Sequence, residues 1–102
     1  MPRFDRDRFE IELISSAYLN SRRIVQECAE GTISCPAYRL EANRRIVAHI
    51  ENVISSQDEQ YRYILEKEVL EGKRGKWFLD FVSAPTYYRE RKRAYAGFLR
   101  CL

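Results

Sequence analysis

The residues whose types and spacing could do chemistry are concentrated in the last thirty positions. Lys73, Arg74, Lys76, Arg89, Arg91, Lys92, Arg93 and Arg100 stand there against Asp80 and Glu90. The first seventy-two residues carry ten Lys/Arg and thirteen Asp/Glu, so a chain of net charge +3 divides into a slightly acidic body and a strongly basic end. Charge gathered in this way is the electrostatic footprint of a nucleic-acid or other acidic partner. A solvated basic helix face is the plainer alternative.

Other chemistries lack their parts. Cys28, Cys35 and Cys101 are odd in number, contain no C-x-x-C pair and share the chain with one histidine, His49. They make a poor zinc site and a poor disulfide framework, which points to a reducing cytoplasm. Periodicity brings no His or Asp beside them to activate a thiol, and His49 reads as a packed or half-exposed helix residue. There is no Gly-rich phosphate loop and no paired-carboxylate arrangement, so neither enzyme activity nor a metal or cofactor is expected. No apolar run approaches the roughly eighteen residues of a membrane span. The alternating charges of residues 1–7 lack the apolar stretch of a signal peptide.

The elements that position the basic end must be helices. Four glycines and three prolines in 102 residues favour a few long helices over many short strands. Over residues 7–30, Ile11, Ile14, Ala17, Tyr18, Val25 and Cys28 mark one helix face, and Gly31 follows as a C-terminal cap. Ser34 is the expected N-cap of a second helix over 36–55, with Leu40, Asn43, Val47, Ile50 and Ile54 on one face and Ile46 and Val53 widening it. Ser56 and Glu59 have the spacing of a capping box for a third helix over 57–71, which presents Tyr61, Ile64, Leu65 and Val69 and ends at Gly72. The short 31–35 connection predicts an antiparallel hairpin of the first two helices, which could also serve as a dimer interface.

Within the basic end, an aromatic helix over 76–81 meets a break at Val82-Ser83. Ser83 is a favoured N-cap, Pro85 suits a first turn, and a longer helix then runs to the C-terminus. Tyr87, Ala94, Phe98 and Cys101 share its inner face, with Arg91 at the edge; Tyr88, Arg89 and Lys92 lie opposite. Trp77, Phe78 and Phe81 are expected in the core, and Tyr87 too, with its hydroxyl at the rim. The expected fold is all-α, a single domain of four to five helices. A helical hairpin and support helix fill 1–72, and a helix-turn-helix fills 73–102.

The run Ser83-Ala84-Pro85-Thr86-Tyr87-Tyr88-Arg89, followed by Ala94 and Phe98, resembles the S-x-S-T-Y-Y-R…A…F signature of ArpU-like and RinA-like phage-type transcription regulators. Their C-terminal portion is similar to the fourth region of sigma-70 factors. Pro85 and Arg91 depart from that pattern, which has a polar and an apolar residue there. The resemblance implies a cytoplasmic DNA-binding regulator of phage or mobile-element genes that sets its last helix in the major groove. Its implied partner is double-stranded DNA; RNA polymerase or another transcription protein, and a second copy through the long N-terminal helices, are the further expected partners. The implied DNA contacts are Lys73, Arg74, Lys76, Ser83, Thr86, Tyr88, Arg89 and Lys92. The rival expectation is a protein-interaction module on the same scaffold. A continuous positive face favours DNA. An apolar patch centred on Tyr88 and Pro85, or acidic residues holding Arg91 and Arg93, favours a protein partner.

Overall fold

Asp5 opens the first helix by accepting the Arg8 backbone N–H at 3.1 Å, satisfying one of the donors that a helix start leaves free. The computed structural model describes residues 5–102 and contains four α-helices, with no strand among the described residues. Helix α1 (Arg6–Ala29) buries Ile11, Ser15, Tyr18, Ser21 and Ile24, one residue per turn. This stripe differs from the expected one: Ala17 is exposed, while Ile14, Val25 and Cys28 are half-buried. The two serines enter because small side chains allow close approach, and the Ser15 hydroxyl donates to the Val69 carbonyl at 2.8 Å. Gly31, at φ +76, closes the helix. Its N–H reaches Cys28 O, and the Thr32 N–H reaches Glu27 O, the paired bonds of a Schellman end.

Helix α2 (Ala37–Ser55) returns antiparallel to α1, as the short connection requires. Its N-cap is Pro36, without a side-chain cap, so Ser34 does not perform the role its sequence position suggested. Ile50, Val53 and Ile54 are buried, whereas Ile46 is exposed. No residue of 37–46 is buried, so only the second half of α2 joins the core. Tyr18 fastens the pair by donating its hydroxyl to Glu51 at 2.6 Å. Cys28 and Cys35 are joined as a disulfide across the turn, correcting the reading of the cysteines as a poor disulfide framework. They are seven residues apart, and the Schellman turn folds the chain back so that they meet. Cys101 is free and exposed, not on the inner face of the last helix.

The capping box does not form. Ser56 closes α2 instead, donating its hydroxyl to Val53 O at 2.6 Å, and Asp58 precedes α3 (Glu59–Leu65). The expected single helix then changes pitch: Glu66–Leu70 is a π-turn, followed by Gly72 at φ +67. The wider pitch turns both Glu68 and Val69 inward. Such turns are rare and concentrate at functional or packing-critical places.

The expected aromatic helix over 76–81 is a single 3-10 turn, Trp77–Asp80. Gly75 at φ +78 breaks the chain before it and Ser83 starts a new helix after it, leaving too few residues to nucleate an α-helix. Phe78 is buried and stacks on Tyr87, with ring centroids 3.6 Å apart. Trp77 is half-buried, but Phe81 is 65% exposed, against expectation. Helix α4 (Ala84–Cys101) carries Pro85 in its first turn and buries Tyr87, Ala94, Tyr95 and Phe98. Together with Ile11, Tyr18, Ile54, Leu65 and Val69 these close one core over which α4 lies.

Candidate nucleic-acid interface

Helical periodicity decides what α4 offers to solvent. With Tyr87, Ala94 and Phe98 inward, Arg89, Lys92, Arg93, Ala96 and Arg100 fall on the far side, and all five are exposed. The face therefore carries four cations and no carboxylate. The one acid of α4, Glu90, points to the flank and is half-buried. Arg89 meets it at 3.9 Å, a loose contact. Lys92, Arg93 and Arg100 have no carboxylate within 4.0 Å among the described residues.

The expected contact residues divide into three groups. Tyr88, Arg89 and Lys92 are exposed on α4, with Tyr88 toward the inner flank, where its ring meets Phe78 and the Arg91 guanidinium. Ser83 and Thr86 stand at the start of the helix, and the Ser83 hydroxyl donates to Thr86 Oγ1 at 3.0 Å rather than capping a backbone N–H. Lys73, Arg74 and Lys76 lie in the loop before the 3-10 turn. Arg74 is largely committed there, donating to the Glu68 and Lys73 carbonyls at 2.9 and 3.0 Å and facing Glu12 at 3.6 Å. Lys73 approaches Glu71 at 3.9 Å, and Lys76 has no carboxylate that near among the described residues. Arg93 and Arg100 belong to the outer face although they were not among the expected contacts. Their steps of four and seven from Arg89 and Arg93 were a usable signal.

The inner side of α4 is held by a buried carboxylate. Glu68, on the π-turn, accepts from the Tyr87 and Tyr95 hydroxyls and, at 2.9 Å, from the Trp77 indole N–H. The Tyr87 hydroxyl is thus buried in a network, not at the rim. Burial, followed by the charge and hydrogen bond of Glu68, raises the Tyr95 phenol far above its ordinary range. Above this network the Arg91 guanidinium faces the rings of Tyr87, Tyr88 and Tyr95 at 4.9–5.7 Å and meets Asp5 at 3.5 Å. Arg91 is therefore a packing residue held by the start of α1, whereas Arg93 remains on the outer face. The polar departure at position 91 is accommodated because three aromatic faces and an acid replace the expected apolar pocket. Nothing in the sequence pattern marked Glu68, beyond an acid set among the apolar residues Leu65, Val69 and Leu70.

On the opposite flank, Tyr63, Ile64, Trp77, Phe78, Phe81 and Val82 border an apolar cavity of about 200 Å³. Phe81 and Val82 are exposed on this side, and Leu79 and Tyr88 are exposed as well, outside the lining of this cavity. His49 sits on α2 with Nε2 3.2 Å from the Leu102 carbonyl, and no cluster of metal-ligating side chains occurs among the described residues. No helix of the described residues is long and apolar enough to cross a membrane.

Comparisons with protein-family models, with curated proteins and with solved structures find no match to this chain.

Proposed function

We propose that this protein binds duplex DNA through the outward face of α4 and acts as a transcription regulator of the phage or mobile-element type that its C-terminal signature resembles. The observation that carries this reading is the continuous, acid-free face of Arg89, Lys92, Arg93 and Arg100. Small Ala96 lies between these cations and allows close approach to a groove wall. An α-helix fits the major groove, and cations along it meet the phosphates on either side. Tyr88, Ser83 and Thr86 lie near the helix start, where recognition helices reach base edges. The expected first helix of a helix-turn-helix is absent, since residues 73–83 hold only the 3-10 turn Trp77–Asp80, so the reading rests on α4 itself, which Phe78 seats by stacking on Tyr87. In a reducing cytoplasm, the compartment this reading implies, Cys28 and Cys35 would be thiols; both lie outside α4.

Binding to random-sequence duplex DNA across a salt series tests this. Four phosphate contacts give a log–log slope of about −4, and an Arg89→Ala/Lys92→Ala variant loses about two units of it. No binding at low salt would overturn the reading. One specific observation favours a second one: the apolar cavity beside exposed Phe81 suits a protein partner such as a polymerase subunit. In that case Phe81→Ser abolishes capture of the partner while the charge variant does not.

A further inference from the structure

A second cavity, of about 170 Å³, opens on the inner flank of α4, away from the outward face and sharing only Tyr87 with the lining of the apolar cavity. Three separate stretches converge on it. Helix α1 supplies Arg8, the 73–76 loop supplies Lys73, Arg74 and Lys76, and α4 supplies Arg91 and the walls Tyr87, Tyr88 and Tyr95. We propose that this cavity is a seat for a phosphate group.

Five cations face it against two lining carboxylates, and both carboxylates are already engaged. Glu68, at the floor, is wrapped by the Tyr87, Tyr95 and Trp77 donors. Glu12 is bracketed by Arg8 at 3.4 Å and Arg74 at 3.6 Å. At the rim, Asp5 and Glu71 meet Arg91 and Lys73 at 3.5 and 3.9 Å, longer than a good charge-assisted hydrogen bond. Lys76 has no such partner among the described residues, so a bound oxyanion would give it a first one and offer Lys73 and Arg91 a closer acceptor. The space is small beside the roughly 300–1,000 Å³ of ordinary ligand pockets, which matches a phosphate with a few attached atoms. Of the three phenols on the wall, Tyr87 and Tyr95 spend their hydroxyl donors on Glu68, which leaves Tyr88 to add a donor without adding negative charge.

The phosphate could belong to a DNA strand or to a free monoester, and the seat does not depend on the outward face being a DNA surface. Trp77, the one tryptophan of the chain, donates to Glu68 at the cavity floor and serves as the reporter. Its fluorescence is followed in the full chain while inorganic phosphate or adenosine monophosphate is added at constant ionic strength, with sodium chloride as the control. The expected result is a saturable change whose Kd rises about tenfold in Lys76→Ala and in Arg8→Ala. In Arg39→Ala, which alters an exposed residue of α2 outside the cavity, the Kd stays at the wild-type value. A response no different from chloride, or the same Kd in all four proteins, overturns the proposal. A short duplex that displaces the monophosphate assigns the seat to a strand phosphate; failure to displace it assigns the seat to free monoesters. Duplex binding with no monophosphate binding removes the seat and leaves the outward face standing. Monophosphate binding without duplex binding does the reverse.

Discussion

Tyr95 donates its hydroxyl to the Glu68 carboxylate, tying the middle of α4 to a π-turn twenty-seven positions earlier. The same carboxylate receives Tyr87 and Trp77, so one acid residue orients the last helix and the turn before it. The direction in which the basic face points is set from this buried side.

Replacing Glu68 therefore affects more than one contact. Glu68→Leu leaves two hydroxyls and an indole N–H buried without an acceptor, at a cost of about 3–5 kcal/mol. Glu68→Gln keeps one acceptor oxygen but sets an amide N–H against a donor, at a cost of about 1–3 kcal/mol. Urea unfolding of the three proteins measures both, and the order wild type, Gln, Leu is the expected one. Equal stabilities would remove the network from the account of how α4 is held.

Alkaline pH should loosen the same interior. Burial first, then the hydrogen bond and charge of Glu51, pushes the Tyr18 phenol from 10.0 up to about 12. Tyr95 is raised further, by burial and by Glu68. The unfolded chain loses these protons before the folded one, so their stabilising effect is complete below pH 10 and fades as pH climbs. Each tyrosine contributes a slope of about −1.4 kcal/mol per pH unit in its window. For Tyr18 that window is pH 10 to 12, and for Tyr95 it continues higher. Tyr18→Phe should flatten the first part of the fall in unfolding free energy and leave the later part unchanged.

Gly72 ends the π-turn at φ +67, and a Cβ there would lie 3.0 Å from Leu19 Cδ1. Gly72→Ala combines left-handed backbone strain with that contact and should cost about 1–2 kcal/mol. Gly97 is a contrasting case. Its φ is ordinary, and the atom 2.9 Å from its would-be Cβ is the movable end of Gln57. Gly97→Ala should be neutral or stabilise by up to about 1 kcal/mol, because alanine favours the helix. Thermal melts of the two variants separate the cases.

Arg93 and Arg100 extend the outward face beyond the contacts the sequence suggested. Arg93→Ala/Arg100→Ala should make the salt dependence of duplex binding shallower by about two units without changing the melting curve. An unchanged slope would confine the DNA surface to the first half of α4. A lowered melting temperature would mean that the two arginines also have a structural part.

The sequence alone determined the three long helices α1, α2 and α4, because apolar spacing and glycine stops act over one or two turns. The α1–α2 hairpin, the break at Ser83 and the gathering of charge at the basic end follow from residues close together in the chain. The inner face of α4 was legible at Tyr87, Ala94 and Phe98. Tertiary structure decided what depends on distant partners. Ser15 became a core residue by donating to the Val69 carbonyl, and Ser56 closed α2 by donating back to Val53 O, not forward to the start of α3. Arg91 was drawn inward by three tyrosines and Asp5, while Phe78 took the buried place against Tyr87 and Phe81, just past the 3-10 turn, stayed outside. Glu68 was the least legible, since an acid is stable in a core only when donors from elsewhere in the fold surround it. Those donors lie nine to twenty-seven residues away, beyond the reach of any local pattern.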